Sequence, residues 1–217
     1  MKRYFSIIFI SILICISSCK KEDTADVSTT VKVSYPAINL NGAAADSVVF
    51  VPVGGTFTEP GATLVDDITG AQSQITAESN DVDVNNPGVY YVTYRASNSN
   101  GFETVRFRVI AVYDTSIAAE DYSGTYAHLN ARLVTVTQLA PRYFFCDDLY
   151  GTFNIPIPAY FVDIGTMLYV PQQAIDPSLG NEMHGEGEKT GTPGSYVLDF
   201  YGLIRDGFER PRILTQQ

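Results

Sequence analysis

Residues 89–112 read VYYVTYRASNSNGFETVRFRVIAV, and their alternation decides the fold. In the first run Tyr90, Val92, Tyr94 and Ala96 point one way and Tyr91, Thr93, Arg95 and Ser97 the other. A period of two belongs to a strand with one face in a core. Asn98-Ser99-Asn100-Gly101 then supplies residues that tolerate positive φ, so the chain turns back on itself. The return run alternates as well. Val105, Phe107, Val109 and Ala111 oppose Arg106 and Arg108, which assigns the apolar set to the core and the arginines to water.

The same grammar extends outward from this hairpin. Residues 47–51 and 62–65 are short β-branched runs, and Gly54-Gly55 and Glu59-Pro60-Gly61 turn the chain between them. No stretch of the exported chain carries the 3.6-residue period of a long amphipathic helix, so the fold class is all-β. In order, VPVGGTFTEPGATLVDD, NNPGVYYVTYRASNSNG and VRFRVIAV resemble a bacterial Ig-like domain, a type found in Bacteroidota surface proteins and in insecticidal crystal proteins. The resemblance covers about residues 31–114 and implies an Ig-like β-sandwich serving as spacer or binding module. Pro87-Gly88-Val89-Tyr90 looks like its tyrosine corner. Val92 then stands where antibody domains carry a cysteine, and aliphatic and tyrosine packing is expected to hold the core.

Residues 119–217 form the second half. They contain 14 of the chain's 26 aromatic residues, spread over closely spaced strand-like runs joined by Gly and Pro turns. This spacing predicts a second antiparallel β domain, a meander or small barrel. Asp121-Tyr122-Ser123-Gly124-Thr125-Tyr126 and Asp148-Leu149-Tyr150-Gly151 resemble the C-terminal module of a Bacteroidota lipoprotein family. Members of that family pair such a module with an Ig-like domain, often near starch-utilisation-type import systems.

The N-terminus gives an address. Lys2 and Arg3 precede an apolar run from Tyr4 to Ile16, too short to span a bilayer and suited to a signal peptide over residues 1–18. Ile16-Ser17-Ser18-Cys19 resembles the bacterial lipobox, which implies lipidation at Cys19. Two or three acyl chains anchor stably where one would not. Lys20-Lys21-Glu22-Asp23 resembles the signal that sends Bacteroidota lipoproteins to the outer face of the outer membrane, and residues 19–30 read as a flexible tether. Without residues 1–18 the chain carries 12 basic and 24 acidic side chains, net −12, a charge that repels nucleic acid. Cys146 is left without an intrachain partner inside the apolar run Tyr143-Phe144-Phe145-Cys146, the setting of a buried, inert thiol.

No catalytic set stands out. His184, Glu186 and Glu188 alternate and would share a face if extended, a spacing open to a metal ligand set. The interleaved glycines favour a solvated loop instead. Asp147-Asp148 lacks the second carboxyl that sugar cleavage requires and reads as a turn cap. Asp66-Asp67 with Asp81 and Asp83 reads as loop acids rather than as a calcium site. No cofactor or metal is implied. The remaining signal is aromatic: Tyr143, Tyr150, Tyr160, Tyr169, Tyr196 and Tyr201 are the candidate ligand-binding rings, since exposed tyrosines stack on sugars and other flat ligands. Tyr143 and Phe144, like Tyr160 and Phe161, are neighbours that cannot share a strand face, so one ring of each pair must point outward.

The sequence therefore predicts a non-enzymatic, outer-membrane surface lipoprotein whose Ig-like spacer presents a C-terminal module. Its implied partners are the membrane, through the lipid, and a glycan or outer-membrane import proteins. A structural or adhesion lipoprotein without a small ligand is the alternative, with an accessory hydrolase behind it.

Overall fold

A computed structural model describes residues 33–42, 48–151, 156–176, 181–201, 203–205, 208–209 and 211–217. The described secondary structure is all β. The first seven strands are β1 (Ala37–Leu40), β2 (Val48–Pro52), β3 (Ala62–Val65), β4 (Gln72–Ile75), β5 (Ser79–Asn80), β6 (Gly88–Ser97) and β7 (Glu103–Tyr113). They form two sheets, β1-β3-β4 and β2-β7-β6-β5, with β2 parallel to β7 and the long β6–β7 hairpin antiparallel. Ile38, Leu40, Val51, Val92, Tyr94, Ile110 and Val112 pack between the sheets as one core, making an Ig-like sandwich. Tyr90 Oη donates to the Asn86 carbonyl at 2.9 Å, which is the expected tyrosine corner.

The structure corrects the reading of β7. Tyr90 pairs with Ile110, and Val92 with Arg108, so the core face of β7 carries Arg108, Ile110 and Val112. Arg108 is only 1% exposed. Its Nε lies 2.9 Å from Glu59 Oε2, and its Nη2 donates to the Asn41 carbonyl at 2.7 Å. Tyr94 Oη and the Gly61 N–H also donate to Glu59, at 2.8 and 3.0 Å. A buried arginine is tolerated because its donors meet a carboxylate and a carbonyl across the sandwich. Aliphatic and tyrosine packing thus does not act alone: an ion pair ties the sheets together where related folds use a disulfide.

The opposite face of β7 is covered by another layer at its Ala111 end, while Val105 stays 43% exposed. The second half contains β8 (Gly124–His128), β9 (Leu133–Ala140), β10 (Tyr143–Cys146), β11 (Ala159–Asp163), β12 (Leu168–Asp176), β13 (Asn181–Thr190), β14 (Val197–Phe200), β15 (Ile204–Arg205), β16 (Phe208–Glu209) and β17 (Arg212–Gln216). Strands β8 to β14 follow one another as an antiparallel meander, and β17 returns between β14 and β8. The β12–β13 and β17–β8 pairings close an eight-stranded barrel, with β15–β16 an appended ribbon on β13. Its interior is filled: Tyr126, Val134, Phe144, Phe161, Leu198 and Phe200 belong to one buried cluster. Eight strands leave just enough room for side chains to meet, so this interior is a packed core.

The segment 181–190, expected as a solvated loop, is strand β13 at the barrel seam. Gly187 within it is structural. A Cβ on Gly187 would stand 2.5 Å from the Asp199 carbonyl oxygen, so only glycine lets β14 approach.

Candidate functional site

The end of the barrel that meets the sandwich is built around buried Asp163. Its Oδ2 accepts from Lys189 Nζ at 2.7 Å and from Tyr122 Oη at 3.0 Å, and its Oδ1 accepts from the Gly165 N–H at 2.8 Å. Arg142 Nη1 lies 3.6 Å from the same carboxylate. Arg142 ends the two-residue turn between β9 and β10 at φ 67°, a left-handed conformation that follows Pro141 at the preceding turn position. Its guanidinium donates to the Ile117 carbonyl and lies 4.8 Å over the Tyr113 ring, reaching the chain that leaves the sandwich. Burial first, then the Asp163 carboxylate, pushes the Tyr122 phenol far above its ordinary value. These ions face one another, so this cluster is a clamp between the modules.

Above the clamp the modules share an apolar cluster. Ala111 of the sandwich packs with Val162 and Ile164 of the barrel, and Phe50, Tyr113, Tyr143 and Tyr169 close around them. Tyr91 Oη accepts from the Gln172 N–H at 3.0 Å and adds a polar tie. Beside this junction lies an open recess of about 600 Å³, lined by Phe50, Tyr113, Ile117, Ala140, Pro141 and Arg142 among others.

From Phe50 a strip of rings leaves the recess along the barrel wall. Phe50 and Tyr143 are 6.2 Å apart, and Tyr143 stacks on Tyr160 at 5.7 Å with planes 27° apart. Phe145 lies 5.2 Å from Tyr160, its direct partner across β10–β11. The neighbours divide as the alternation requires. Phe144 and Phe161 stack inside the barrel at 5.1 Å, while Tyr143 and Tyr160 stack outside. Tyr160 is 42% exposed. Its backbone is held by Gln173, whose Oε1 accepts from Tyr160 N–H and whose Nε2 donates to Tyr160 O, both at 2.8 Å. The ring therefore projects from a fixed backbone.

Of the six tyrosines proposed from sequence, the structure brings Tyr143 and Tyr160 together on this strip. Tyr169 lies in the junction cluster. Tyr150 and Tyr196 are buried in the barrel and present no ring face to a ligand, because their strand or loop positions point inward. Arg212 covers Tyr150 at 4.1 Å, and Tyr122 meets Tyr196 edge-on at 4.9 Å. Tyr201 is half-buried on the acidic side of the wall, where burial first, then Glu186 and Glu188, raises its phenol. Sequence reasoning missed Phe50, Phe145 and Gln173 as members of the strip. Phe145 was within reach, since it follows Tyr143 by two positions on one strand.

The acidic candidates have structural work. Asp147 Oδ1 accepts from the Thr135 N–H at 2.8 Å. Asp148 accepts from the N–H groups of Gly151 and Ile157 and pairs with Arg132 at 2.7 Å, fixing the loop after β10. Asp66 accepts from the N–H groups of Ile68 and Thr69 and Asp83 from that of Asn85, and these bonds lower both carboxyls below their ordinary value. Asp81 accepts from the Tyr91 N–H at 2.6 Å. Among the described residues no cluster of three or more His, Cys, Asp or Glu side chains is placed to hold a metal. Cys146 is buried, and desolvation pushes its thiol up to about 12. Cys19, the expected lipidation point, lies outside the described residues.

Sandwich and barrel together define the class: an all-β chain in which an Ig-like domain is clamped to a closed barrel bearing an external aromatic strip. Residues 38–112 match the family model of the Ig-like domain of bacterial surface proteins. A lipoprotein from Bacteroides thetaiotaomicron of known crystal structure is 19% identical, with 84% of this chain and 100% of that chain covered and a TM-score of 0.38. No curated protein matches the chain.

Proposed function

We propose that the chain is a non-catalytic, surface-anchored lipoprotein of the outer membrane that binds a glycan chain on its aromatic strip, in service of a starch-utilisation-type nutrient-import system. Lipid on Cys19 fixes it to the membrane, with the tether and sandwich carrying the barrel outward. The observation that carries the reading is Tyr160: a half-exposed ring on a backbone pinned by Gln173, stacked on Tyr143 and flanked by Phe145. Rings held in place before binding cost little ordering entropy, and their faces stack on the apolar faces of sugars while the hydroxyls remain free to bond. Phe50 continues the strip into the recess, which offers room for a second stretch of the ligand.

A glycan array probed with the ectodomain tests the reading. Retention of one or more glycans, lost in Tyr160→Ala, is the expected result. Absence of binding across a broad array would leave the structural or adhesion alternative. The anchor is tested separately: Cys19→Ala should release the protein from the membrane fraction, and continued retention would count against lipidation there.

A further inference from the structure

The outer wall of the barrel has two chemically different halves. On β13 and β14 the outward positions include Glu182, Glu186, Glu188 and Asp199, with His184 among them. Around the other side the outward positions are uncharged. Strand β17 presents Ile213 and Thr215, β8 presents Thr125 and Ala127, and β9 presents Leu133, Thr135 and Thr137. Tyr143 and Phe145 follow on β10 and Tyr160 on β11, so the aromatic strip is one border of this panel. Five strands about 4.8 Å apart make it roughly 20 Å wide. In a chain of net charge −10, an uncharged surface of that width is a departure from composition.

Hydroxyls and apolar groups interleave across it. Thr125 pairs with Thr135, Ala127 with Leu133 and Thr137 with Phe145, and Leu133 is 64% exposed. Charge appears at the rim, where Asp147 already binds the Thr135 N–H. The barrel's described cationic side chains are engaged elsewhere. Arg132 pairs with Asp148, Arg142 and Lys189 with Asp163, and Arg212 covers the Tyr150 ring. Carboxylate- or sulfate-bearing polymers are recognised by arginine and lysine, and a net-negative surface repels them. A cationic polymer would find its counter-charges on β13 and β14, on the other half of the wall.

We infer that the ligand is a neutral polysaccharide lying across the uncharged panel from the Tyr160–Tyr143 border toward the threonines of β9 and β8. This inference rests on the glycan-binding reading above and narrows it to one chemical class. Binding then comes from ring stacking and hydroxyl hydrogen bonds, neither of which salt screens.

The test is affinity electrophoresis of the lipid-free ectodomain in gels holding neutral polymers (soluble starch, xyloglucan, galactomannan) or acidic ones (alginate, polygalacturonate). The expected result is retardation by at least one neutral polymer and by neither acidic one. The neutral affinity should hold within about twofold on a tenfold rise in salt. It should fall about tenfold or more in Tyr160→Ala, since truncating a central stacked ring removes a large share of binding. Salt-sensitive binding to an acidic polymer would overturn the neutral-ligand inference and leave glycan binding standing. Neutral binding that survives both Tyr160→Ala and Thr137→Glu would overturn the panel as the site. Binding to no polymer would overturn the glycan reading itself. Unchanged thermal melting of both surface variants confirms that the losses are local.

Discussion

Gln173 holds the backbone of Tyr160 from both sides, accepting from its N–H and donating to its carbonyl at 2.8 Å each. Strand β12 pairs β11 backbone to backbone at Val162 and Asp163, so beyond those positions this amide replaces the ladder. The most exposed ring of the strip therefore sits on a segment paired with β10 on one edge and held by one side chain on the other. Gln173→Ala should leave the barrel folded and lower ligand affinity about fivefold, roughly 1 kcal/mol, the worth of a lost hydrogen-bonded restraint. Calorimetric titration beside thermal melting separates the two effects. An unchanged affinity would mean that the backbone needs no clip.

Arg108 and Glu59 make a second prediction, about stability. Removing one partner leaves the other charge buried, so Arg108→Met and Glu59→Gln should each cost about 3–5 kcal/mol in urea unfolding. The double variant should cost clearly less than the two losses added, because neither charge is then stranded. Strict additivity would show that the two side chains do not act as a pair.

At the module junction, Arg142→Gly sets two effects against each other. Glycine relieves a left-handed residue at φ 67°, worth roughly 1 kcal/mol. It also removes the guanidinium from Asp163, the Ile117 carbonyl and the Tyr113 ring. The expected net result is destabilisation, with faster amide exchange along the β11–β12 turn and residues 114–117. Stabilisation by Arg142→Gly would show that the clamp contributes less than the strain that glycine relieves.

Cys146 supplies a pH-dependent prediction. Its folded thiol titrates near 12 against a usual value of 9.0, because desolvation disfavours the thiolate. A group whose pKa is raised on folding stabilises fully below its unfolded value and loses that contribution as pH rises toward its folded value. The thiol's contribution should therefore be complete at neutral pH and decline above about pH 9. In a Cys19→Ser ectodomain lacking the signal peptide, Cys146 is the sole cysteine. It should resist thiol reagents at pH 8 until the barrel is unfolded, and prompt labelling of the native protein would contradict its burial.

Much of the sandwich was legible because its signals are local. The turn 98–101, the tyrosine corner and the alternation of β6 each depend on residues within one hairpin. The facing of β7 was not legible, for a reason that lies outside the sandwich. Ala111 reads as a core residue because it is covered, but the cover is the barrel, and Arg108 can turn inward only because Glu59 waits 49 positions away. Closure of the barrel was hidden for the same kind of reason. Strand β13 is glycine-rich and acidic, and its strand character comes from pairing with β12 and β14 rather than from its own propensity. At the strip, the rule that neighbours face opposite ways separated Tyr143 from Phe144 and Tyr160 from Phe161. Adjacency cannot show that the two outer rings stack on each other, because that depends on the register of β10 with β11.

The proposed binding surface stands or falls with the Tyr160 strip. Its most direct test is the affinity of Tyr160→Ala for the polysaccharide that the wild-type ectodomain retains, measured by calorimetry. Leu129→Ala serves as a control, since Leu129 is 84% exposed in the β8–β9 turn, at the barrel end away from the junction. Tyr160→Ala should lose about tenfold or more in affinity and Leu129→Ala should lose none. Equal affinities for wild type and Tyr160→Ala would contradict the proposed surface.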